Sequence, residues 1–325
     1  MKMMRAAVYR RYGGPEVVTV EEMARPEPGP GQVLVQVEAA AVTSADWRLR
    51  AAAFPSFTAL PGRLMFGIFR PRKPVLGGGF AGRVVARGKG SERFAIGQAV
   101  VGFSVTGAHA EYVAMSEDGA ILERPDALSP EAAASLPFGG LSALVFLRDF
   151  ARLQPGERVL VVGASGAVGV HAVQIARVLG AEVDAVCRSD HASLMRELGA
   201  GRVFDYRHED FAESGQTWDV VIDCVGASSL KASRRALSEQ GRFVALNMNW
   251  TVLFEALTNR LRRGPKMVTG VSLDKREDLD SLLGWIGEGK LRPVVEQVFQ
   301  LDEIRAAHTA LDSRHRAGTL VVTMG

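Results

Sequence analysis

The chain has 325 residues, enough for about two domains, and its 47% hydrophobic and 23% charged residues are typical of a globular protein in water. The net charge is only +3, and the basic residues are scattered apart from short clusters at 70–73 and 260–263, so we expect neither a nucleic-acid nor a membrane partner. We expect no signal peptide and no stretch long enough to span a bilayer, and therefore a cytoplasmic protein.

Short β-type runs separated by glycine and proline turns fill the chain up to about residue 122. The candidate strands are 33–37 with an extension to 42, 82–86, 99–103 and 110–115. This pattern predicts a barrel-like β module. Residues 51–74 interrupt it with a phenylalanine- and proline-rich insert, which is either a lid over an apolar substrate or a packed loop.

From about residue 123 the pattern changes to alternating strands and helices. Ser129 and Pro130 predict the start of a helix, with Ser129 as its cap. The candidate strands that follow are 158–162, 182–187, 202–204, 220–224 and 242–246. Their alternation with helices predicts an α/β fold with a parallel, doubly wound sheet. A helix at 278–287, a strand at 294–299, a helix at 302–313 and a strand at 319–323 complete the chain.

The turn after the strand at 158–162 is rich in glycine and leads into a helical pattern that ends at Gly180. A strand, a glycine turn and a helix in this order predict a dinucleotide site, because the N-terminus of the helix offers free N–H groups and a positive dipole end to a pyrophosphate. Ala164 replaces the first glycine of the usual motif. The residues predicted to contact the cofactor here are Gly163, Ser165, Gly166, Ala167 and Val168.

The end of the next strand predicts NADPH rather than NADH. A site for NADH usually carries an acidic residue here for the ribose 2′-hydroxyl, whereas this chain carries Arg188 and Ser189, which suit a phosphate. Ser189 is also a candidate cap for the following helix. Asp184 and Asp190 lie a few residues too early and too late, and a small misalignment of the strand would let either one reverse the prediction.

The order of these segments resembles the medium-chain dehydrogenase/reductase superfamily, and its zinc-free, zeta-crystallin-like quinone oxidoreductase branch in particular. The resemblance covers essentially the whole chain. It implies a GroES-like catalytic domain at 1–124, a Rossmann NADP(H)-binding domain at 125–265, a C-terminal return at 266–325 that completes the catalytic domain, and a homodimer. The motifs that carry it are 4–9, 31–35, 42–47, 94–102, 107–112, 140–143, 289–294 and 318–322.

Zinc-dependent relatives place a cysteine after the first long strand and a Gly-His-Glu further on. This chain has Thr43-Ser44 at the first place and Gly-Gly-Gly-Phe at 77–80 at the second. Only two cysteines are present, Cys187 and Cys224, so the four-cysteine structural zinc lobe is missing as well. We therefore expect no metal, and we interpret both cysteines as small buried thiols rather than as a disulfide.

The resemblance also implies cofactor contacts at single positions. Thr43 stands where relatives have an asparagine near the nicotinamide, Ser142 where they have a helical threonine, and His191 where some have a phosphate-binding lysine. The remaining implied contacts are Tyr206, Val225, Leu246, Asn247 and Arg314.

The chemistry implied is hydride transfer from NADPH to a small, apolar quinone or enone. Negative charge then develops on the substrate oxygen, and Thr43, Ser44 and Arg50 are the candidates to stabilise it. Asp46 is a further candidate, although its more ordinary role is to bond the backbone of its own loop. The alternatives are an alcohol or carbonyl dehydrogenase, and a structural or regulatory protein that binds NADPH and catalyses little.

Overall fold

Two large sheets organise the computed structural model, which describes residues 2–54, 59–259, 263–313 and 316–325. The strands in chain order are β1 (Met3–Tyr9), β2 (Val18–Ala24), β3 (Gln32–Val42), β4 (Gly79–Arg87), β5 (Ala99–Phe103), β6 (Tyr112–Ser116), β7 (Ile121–Glu123), β8 (Arg158–Val162), β9 (Glu182–Cys187), β10 (Val203–Asp205), β11 (Trp218–Asp223), β12 (Leu237–Ala245), β13 (Lys266–Thr269), β14 (Val295–Gln300) and β15 (Thr319–Thr323). The α-helices are α1 (Ser44–Arg50), α2 (Ala59–Phe66), α3 (Pro130–Val145), α4 (Gly169–Val178), α5 (Ala192–Glu197), α6 (Leu230–Ser233), α7 (Trp250–Asn259), α8 (Arg276–Gly287) and α9 (Ile304–Asp312).

The first large sheet has the order β14-β15-β3-β4-β5-β7, with β6 also paired to β3, and the antiparallel pair β1-β2 lies beside it. In the first half of β3, Val33, Val35 and Val37 are buried on one side against a core, whereas on the other side Leu34 is buried and Gln36 is exposed. Its second half, at 39–42, is buried on both sides. The predicted β module is confirmed, with β3 and β4 longer than predicted.

The second large sheet has the order β10-β9-β8-β11-β12-β13, and all of its strands are parallel. The chain runs outward from β8 in one direction and then restarts beside β8 in the other, which is the predicted doubly wound arrangement. The central strands are apolar on both faces because helices cover both sides. The predicted strands 158–162 and 182–187 match β8 and β9 residue for residue.

The helix α3 begins as predicted, with the Ser129 hydroxyl accepting a hydrogen bond from the Ala132 N–H (3.2 Å). A wider helical turn, Phe146–Phe150, continues it. The expectation that no stretch is long enough to cross a bilayer was wrong by length and composition, because Pro130–Phe150 is a 21-residue helical stretch that is apolar enough. However, 72% of its most apolar window is buried inside the protein, as in a core helix, and the helix packs against the first sheet on one side and against α4 and α8 on the other.

The two sheets are connected by the end of the chain. The strand β15 pairs antiparallel with β3, and β14 pairs with β15, so the C-terminal residues join the first sheet. The strand β13 lies beyond the predicted domain boundary at residue 265, yet it pairs with β12 and forms the edge of the parallel sheet. That boundary therefore falls before the last strand of the sheet, because a short β run at 266–269 gave no clear pattern of its own.

Candidate active site

The glycine turn between β8 and α4 has a different steric requirement at each glycine. Gly163 has a φ of +75°, and a Cβ there would lie 2.6 Å from a methyl group of Val225. A Cβ at Gly169 would lie 2.3 Å from the Gly163 carbonyl oxygen, so this glycine is needed for the packing of helix on strand. At Gly166 the nearest atom to such a Cβ is 3.5 Å away, which leaves that side of the turn open.

Among the described residues no side chain caps the N-terminus of α4, so the positive end of the helix dipole lies at this turn, where the Val170 N–H donates to the Gly166 carbonyl (3.0 Å). Ser165, Ala167 and Val168 lie in the same turn and are partly exposed, as is Gly166. An open glycine turn at the positive end of a helix dipole fits the pyrophosphate of a dinucleotide. These residues are the ones that would hold it.

The C-terminal segment reaches the same turn. The Gly318 N–H donates to the Ser165 carbonyl (2.7 Å), and Gly166 and Gly318 form an isolated parallel bridge. The residues just before Gly318 therefore lie next to the dinucleotide turn. Arg314, predicted to contact the cofactor, lies outside the described residues.

The structure shows where Asp184 and Asp190 lie relative to the end of β9. Asp184 accepts hydrogen bonds from the Trp218 indole N–H (2.9 Å) and the Arg202 N–H (2.8 Å), so it belongs to the sheet and not to the ribose site. Asp190 pairs with Arg188. The strand ends at Cys187, which leaves Arg188 and Ser189 at the position that the sequence predicted.

Ser189 does not cap the following helical turn through its side chain, contrary to one expectation. Its Oγ instead accepts a hydrogen bond from Nη2 of Arg207 (2.9 Å), and its N–H donates to Asp205 (3.0 Å). Tyr206 lies between these two residues in the chain and is 54% exposed, and His191 is partly exposed at the start of α5. The residues around Ser189 thus bring together two arginines, of which the sequence assigned only Arg188.

The loop after β11 is shaped by a buried carboxylate that the sequence did not single out. Asp223 is 2% exposed and accepts hydrogen bonds from the N–H groups of four consecutive residues, at 2.8–3.2 Å: Val225, Gly226, Ala227 and Ser228. An aspartate at the end of a strand, before a glycine, was the signal that could have revealed it. The loop holds Val225, 51% exposed, against the glycine turn.

Asn247 continues this line of contacts after β12. A Cβ at Gly226 would lie 2.8 Å from its side-chain nitrogen, and Leu246 is partly exposed beside it. The structure therefore brings together the glycine turn, the loop at 225–226 and Leu246–Asn247 at the carboxyl ends of neighbouring parallel strands. The cofactor contacts that the resemblance implies for Val225, Leu246 and Asn247 stay a prediction.

Ser142 lies on α3, which packs against α4. A Cβ on Gly139, three residues earlier, would lie 2.2 Å from the Ala167 carbonyl oxygen, so α3 closely approaches the dinucleotide turn. Ser142 itself is partly exposed. Its predicted contact with the cofactor stays a prediction.

Thr43 and Asp46 form a buried capping arrangement at the start of α1. The Asp46 carboxylate accepts from the Thr43 N–H (2.7 Å), from the Thr43 hydroxyl (2.9 Å) and from the Gly77 N–H (2.8 Å). Asp46 is 1% exposed. Its role is therefore structural, which corrects the catalytic assignment, and the Thr43 hydroxyl cannot donate to a substrate while it donates to Asp46.

Arg50 is also structural, because its guanidinium is buried away from solvent. It is 1% exposed and forms two hydrogen bonds to the Asp312 carboxylate (2.7 and 2.8 Å), which tie α1 to α9. The catalytic role predicted for Arg50 is therefore corrected. Of the predicted candidates, Ser44 remains exposed at the first position of α1.

Arg48, one turn along α1 from Ser44, was missed at the sequence level. Its side chain is partly buried and donates to the Asn247 side-chain oxygen across the two halves of the molecule. Burial lowers the pKa of Arg48 from its usual value, since a cation loses its hydration there. Among the described residues, no carboxylate lies within ion-pair distance of it.

Across residues 2–54, 59–259, 263–313 and 316–325, no three His, Cys, Asp or Glu side chains come together as a metal site. Cys187 and Cys224 are thiols that form no disulfide, and burial raises the pKa of Cys187 to about 11.

Two buried histidines, His109 and His308, have ring centres 6.0 Å apart. Neither ring nitrogen of His308 has a hydrogen-bond partner in the described part of the chain.

The described parts of the insert, 51–54 and 59–74, are packed against the protein on one side and exposed on the other. Its helix α2 has no buried residue, whereas Phe54 stacks on Phe66 (5.8 Å) and the Tyr12 hydroxyl donates to the Gly67 carbonyl (2.6 Å). One side of the insert is therefore anchored near the end of α1. Its outer side presents large apolar residues, with Phe69 92% exposed.

Two family models match the chain: the alcohol dehydrogenase GroES-like domain at residues 29–126 and the zinc-binding dehydrogenase at residues 198–322. The chain is 31% identical to a chloroplastic quinone oxidoreductase, QR1, of Triphysaria versicolor, over 99% of this chain and 98% of that protein. It is also 31% identical to a quinone oxidoreductase of Pseudomonas aeruginosa, over 98% of this chain and 99% of that protein.

The structure of a quinone oxidoreductase from Coxiella burnetii superposes with a TM-score of 0.88 at 29% identity, and each chain is covered completely. The glycine turn, the two sheets and these full-length similarities agree with one another. The chain belongs to the quinone oxidoreductase family of the medium-chain dehydrogenase/reductase superfamily, and it is an oxidoreductase that uses a nicotinamide cofactor.

Proposed function

We propose that the protein is a zinc-free, NADPH-dependent reductase that transfers hydride to a quinone or to an α,β-unsaturated carbonyl compound. The observation that carries the proposal is Arg48, a partly buried guanidinium with no acidic partner among the described residues, which donates to Asn247, a residue expected beside the nicotinamide. A cation that is desolvated and unpaired favours the arrival of negative charge.

When bound, the reduced nicotinamide supplies the hydride. The chain supplies the electrostatics. As negative charge develops on the substrate oxygen, Arg48 would donate a charge-assisted hydrogen bond to it, with the exposed Ser44 hydroxyl, one turn earlier in α1, as a second donor. Thr43 is held by Asp46 and offers only its oxygen lone pairs.

In place of a catalytic zinc, the guanidinium of Arg48 would supply the positive charge that stabilises the substrate oxygen. A catalytic zinc needs about three protein ligands around an open position. The place of the first ligand is Thr43, whose hydroxyl is already bonded, and the place of the second is the glycine run at 77–80, which packs under His109. Arg48 provides positive charge without either ligand.

Exposed apolar side chains support an apolar substrate. They lie in two segments: the insert that follows α1, and α7, which starts three residues after Asn247. Both segments thus adjoin the contact between Arg48 and Asn247. Their large exposed residues are Leu60, Leu64, Met65, Phe69, Trp250, Phe254 and Leu257. Burying part of this surface against a hydrophobic substrate would stabilise the complex at roughly 25 cal/mol per Å².

The proposal extends to a homodimer in the cytoplasm. The strand β13 is an edge of the parallel sheet, and the exposed Val271 and Leu273 follow it directly. An unpaired edge with apolar neighbours suits a second copy of the chain. Unpaired thiols suit a reducing compartment. Sedimentation at micromolar concentration should show twice the 34.9 kDa mass, and a monomer would refute the dimer.

The test measures NADPH oxidation with a quinone, a simple enone and an aldehyde, with NADH in parallel and with a chelator present. We expect NADPH turnover with the quinone or enone, unaffected by the chelator. Arg48→Gln should lower kcat/KM about 100-fold or more while the Kd for NADPH stays unchanged. The matched control is Arg83→Gln, in the first sheet and paired with Glu38 (3.1 Å), which should leave kcat/KM near wild type.

Three results would oppose the proposal. Aldehyde turnover that a chelator abolishes would require a metal. Full activity in Arg48→Gln would remove Arg48 from the mechanism. Tight binding of NADPH with no turnover of any acceptor would favour a structural or regulatory protein instead.

A further inference from the structure

We infer that Arg207 sets the preference of this site for NADPH over NADH, because it neutralises Asp205 and presents a free guanidinium edge to the cofactor's 2′-phosphate. The inference rests on the proposed NADPH dependence and names a residue that neither the glycine motif nor the end of β9 assigns. It concerns only the few residues around Ser189.

Asp205 holds Arg207 in one orientation. Its carboxylate accepts from Nε (3.1 Å), Nη2 (2.7 Å) and the backbone N–H (3.0 Å) of Arg207, and also from the Ser189 N–H (3.0 Å). Hydrogen bonds from the Arg207 side chain and backbone, and then from Ser189, hold the pKa of Asp205 well below its usual range. A two-point contact of this kind fixes the plane of a guanidinium.

The remaining edge of Arg207 stays available. Nη2 also donates to the Ser189 Oγ (2.9 Å), which joins the guanidinium to the residue at the end of β9. Within the described residues, no hydrogen bond uses Nη1, and the side chain is 39% exposed. A phosphate beside Ser189 could therefore receive N–H groups from Arg207 without breaking the contact with Asp205.

The neighbouring Arg188 is less suited to this role. It pairs with Asp190, whose side chain is 53% exposed, and the Arg188 side chain is 29% exposed, less than the 39% of Arg207. The Asp190 partner is solvated, so it holds Arg188 only weakly. Asp205, by contrast, is mostly buried, with 10% of its side chain exposed. Without Arg207 its charge would stand uncompensated beside the phosphate and repel it, whereas NADH, which lacks the phosphate, would not be repelled.

The test compares binding of NADPH with NADH, and of 2′,5′-ADP with 5′-ADP, by fluorescence or calorimetric titration of the whole protein. Arg207→Gln should weaken binding of NADPH and 2′,5′-ADP about tenfold or more and leave NADH and 5′-ADP within about twofold. The matched control is Arg202→Gln, an exposed arginine before β10 that pairs with Glu209 (3.0 Å) and should change neither ratio. The double variant Asp205→Asn/Arg207→Gln should recover part of the lost NADPH affinity, because the repulsion is gone.

The outcomes separate the two proposals. If the wild-type protein does not prefer NADPH and 2′,5′-ADP, the proposed cofactor fails and the role of Arg207 fails with it. If the wild type prefers NADPH but Arg207→Gln weakens all four ligands equally, or none, Arg207 has only a structural role and the inference alone is overturned. If the double variant recovers none of the lost NADPH affinity, the claim that Arg207 acts by neutralising Asp205 is wrong.

Discussion

Gly166 and Gly169 lie three residues apart in one turn, and the structure predicts opposite consequences for the same substitution. At Gly169 an alanine Cβ would lie 2.3 Å from the Gly163 carbonyl oxygen and 2.6 Å from backbone atoms of Ala164. Backbone cannot rotate out of the way, so β8 and α4 must separate slightly. Overpacking of this kind costs about 1–3 kcal/mol.

At Gly166 the same Cβ would meet only the Gly163 carbonyl oxygen at 3.5 Å, an ordinary contact. Its φ is not among the positive values of the chain, so alanine is not strained there. We therefore expect Gly166→Ala to change the free energy of unfolding by less than about 0.5 kcal/mol. The methyl group would instead lie on the side that the pyrophosphate approaches, and losing one charge-assisted hydrogen bond should weaken NADPH binding about tenfold to 100-fold.

Thermal unfolding without cofactor and titration with NADPH measure the two effects separately. Gly169→Ala should lower the Tm by several degrees, at roughly 2–4 °C per kcal/mol, whereas Gly166→Ala should keep the wild-type Tm and lose affinity. If Gly166→Ala binds NADPH like the wild type, the pyrophosphate does not lie over this turn. If Gly169→Ala keeps the wild-type Tm, the packing argument is wrong.

Two further predictions concern groups outside the turn. Burial, and then the nearby His109 and Arg50, hold the pKa of His308 well below its ordinary value of 6.5, so below pH 6.5 the unfolded chain binds a proton that the folded chain does not. The contribution of this residue to the free energy of unfolding should be fully present above pH 6.5 and fall on acidification by up to about 1.4 kcal/mol per pH unit. In urea unfolding measured from pH 7.5 to 5, His308→Phe should make the free energy of unfolding less dependent on pH. An unchanged pH dependence would contradict the assignment. Asp223→Asn should raise the KM for NADPH and lower the Tm, because the NH₂ group of asparagine is a donor and cannot accept the backbone N–H groups that one carboxylate oxygen now accepts. An unaffected KM would show that the loop does not touch the cofactor.

Much of the fold followed from the sequence because its signals are local. The β-branched run at 158–162 and the glycines after it predict a strand, a turn and a helix from within 20 residues, and Ser129 with Pro130 predicts a helix start from two. The helices α2 and α7 were not predicted, and both expose large apolar residues whose exposure no local pattern signals.

The sequence by itself determined the two-part fold, the dinucleotide turn and the residues at the end of β9, since each depends on neighbours in the chain. Only the tertiary structure decided what the side chains of α1 do. Arg50 contacts Asp312, 262 positions away, and is buried, whereas Arg48 contacts Asn247, 199 positions away, and is only partly buried. Two arginines on one helical turn look alike in a sequence. Their surroundings differ because one distant segment places the Asp312 carboxylate against Arg50, whereas another places the Asn247 amide against Arg48.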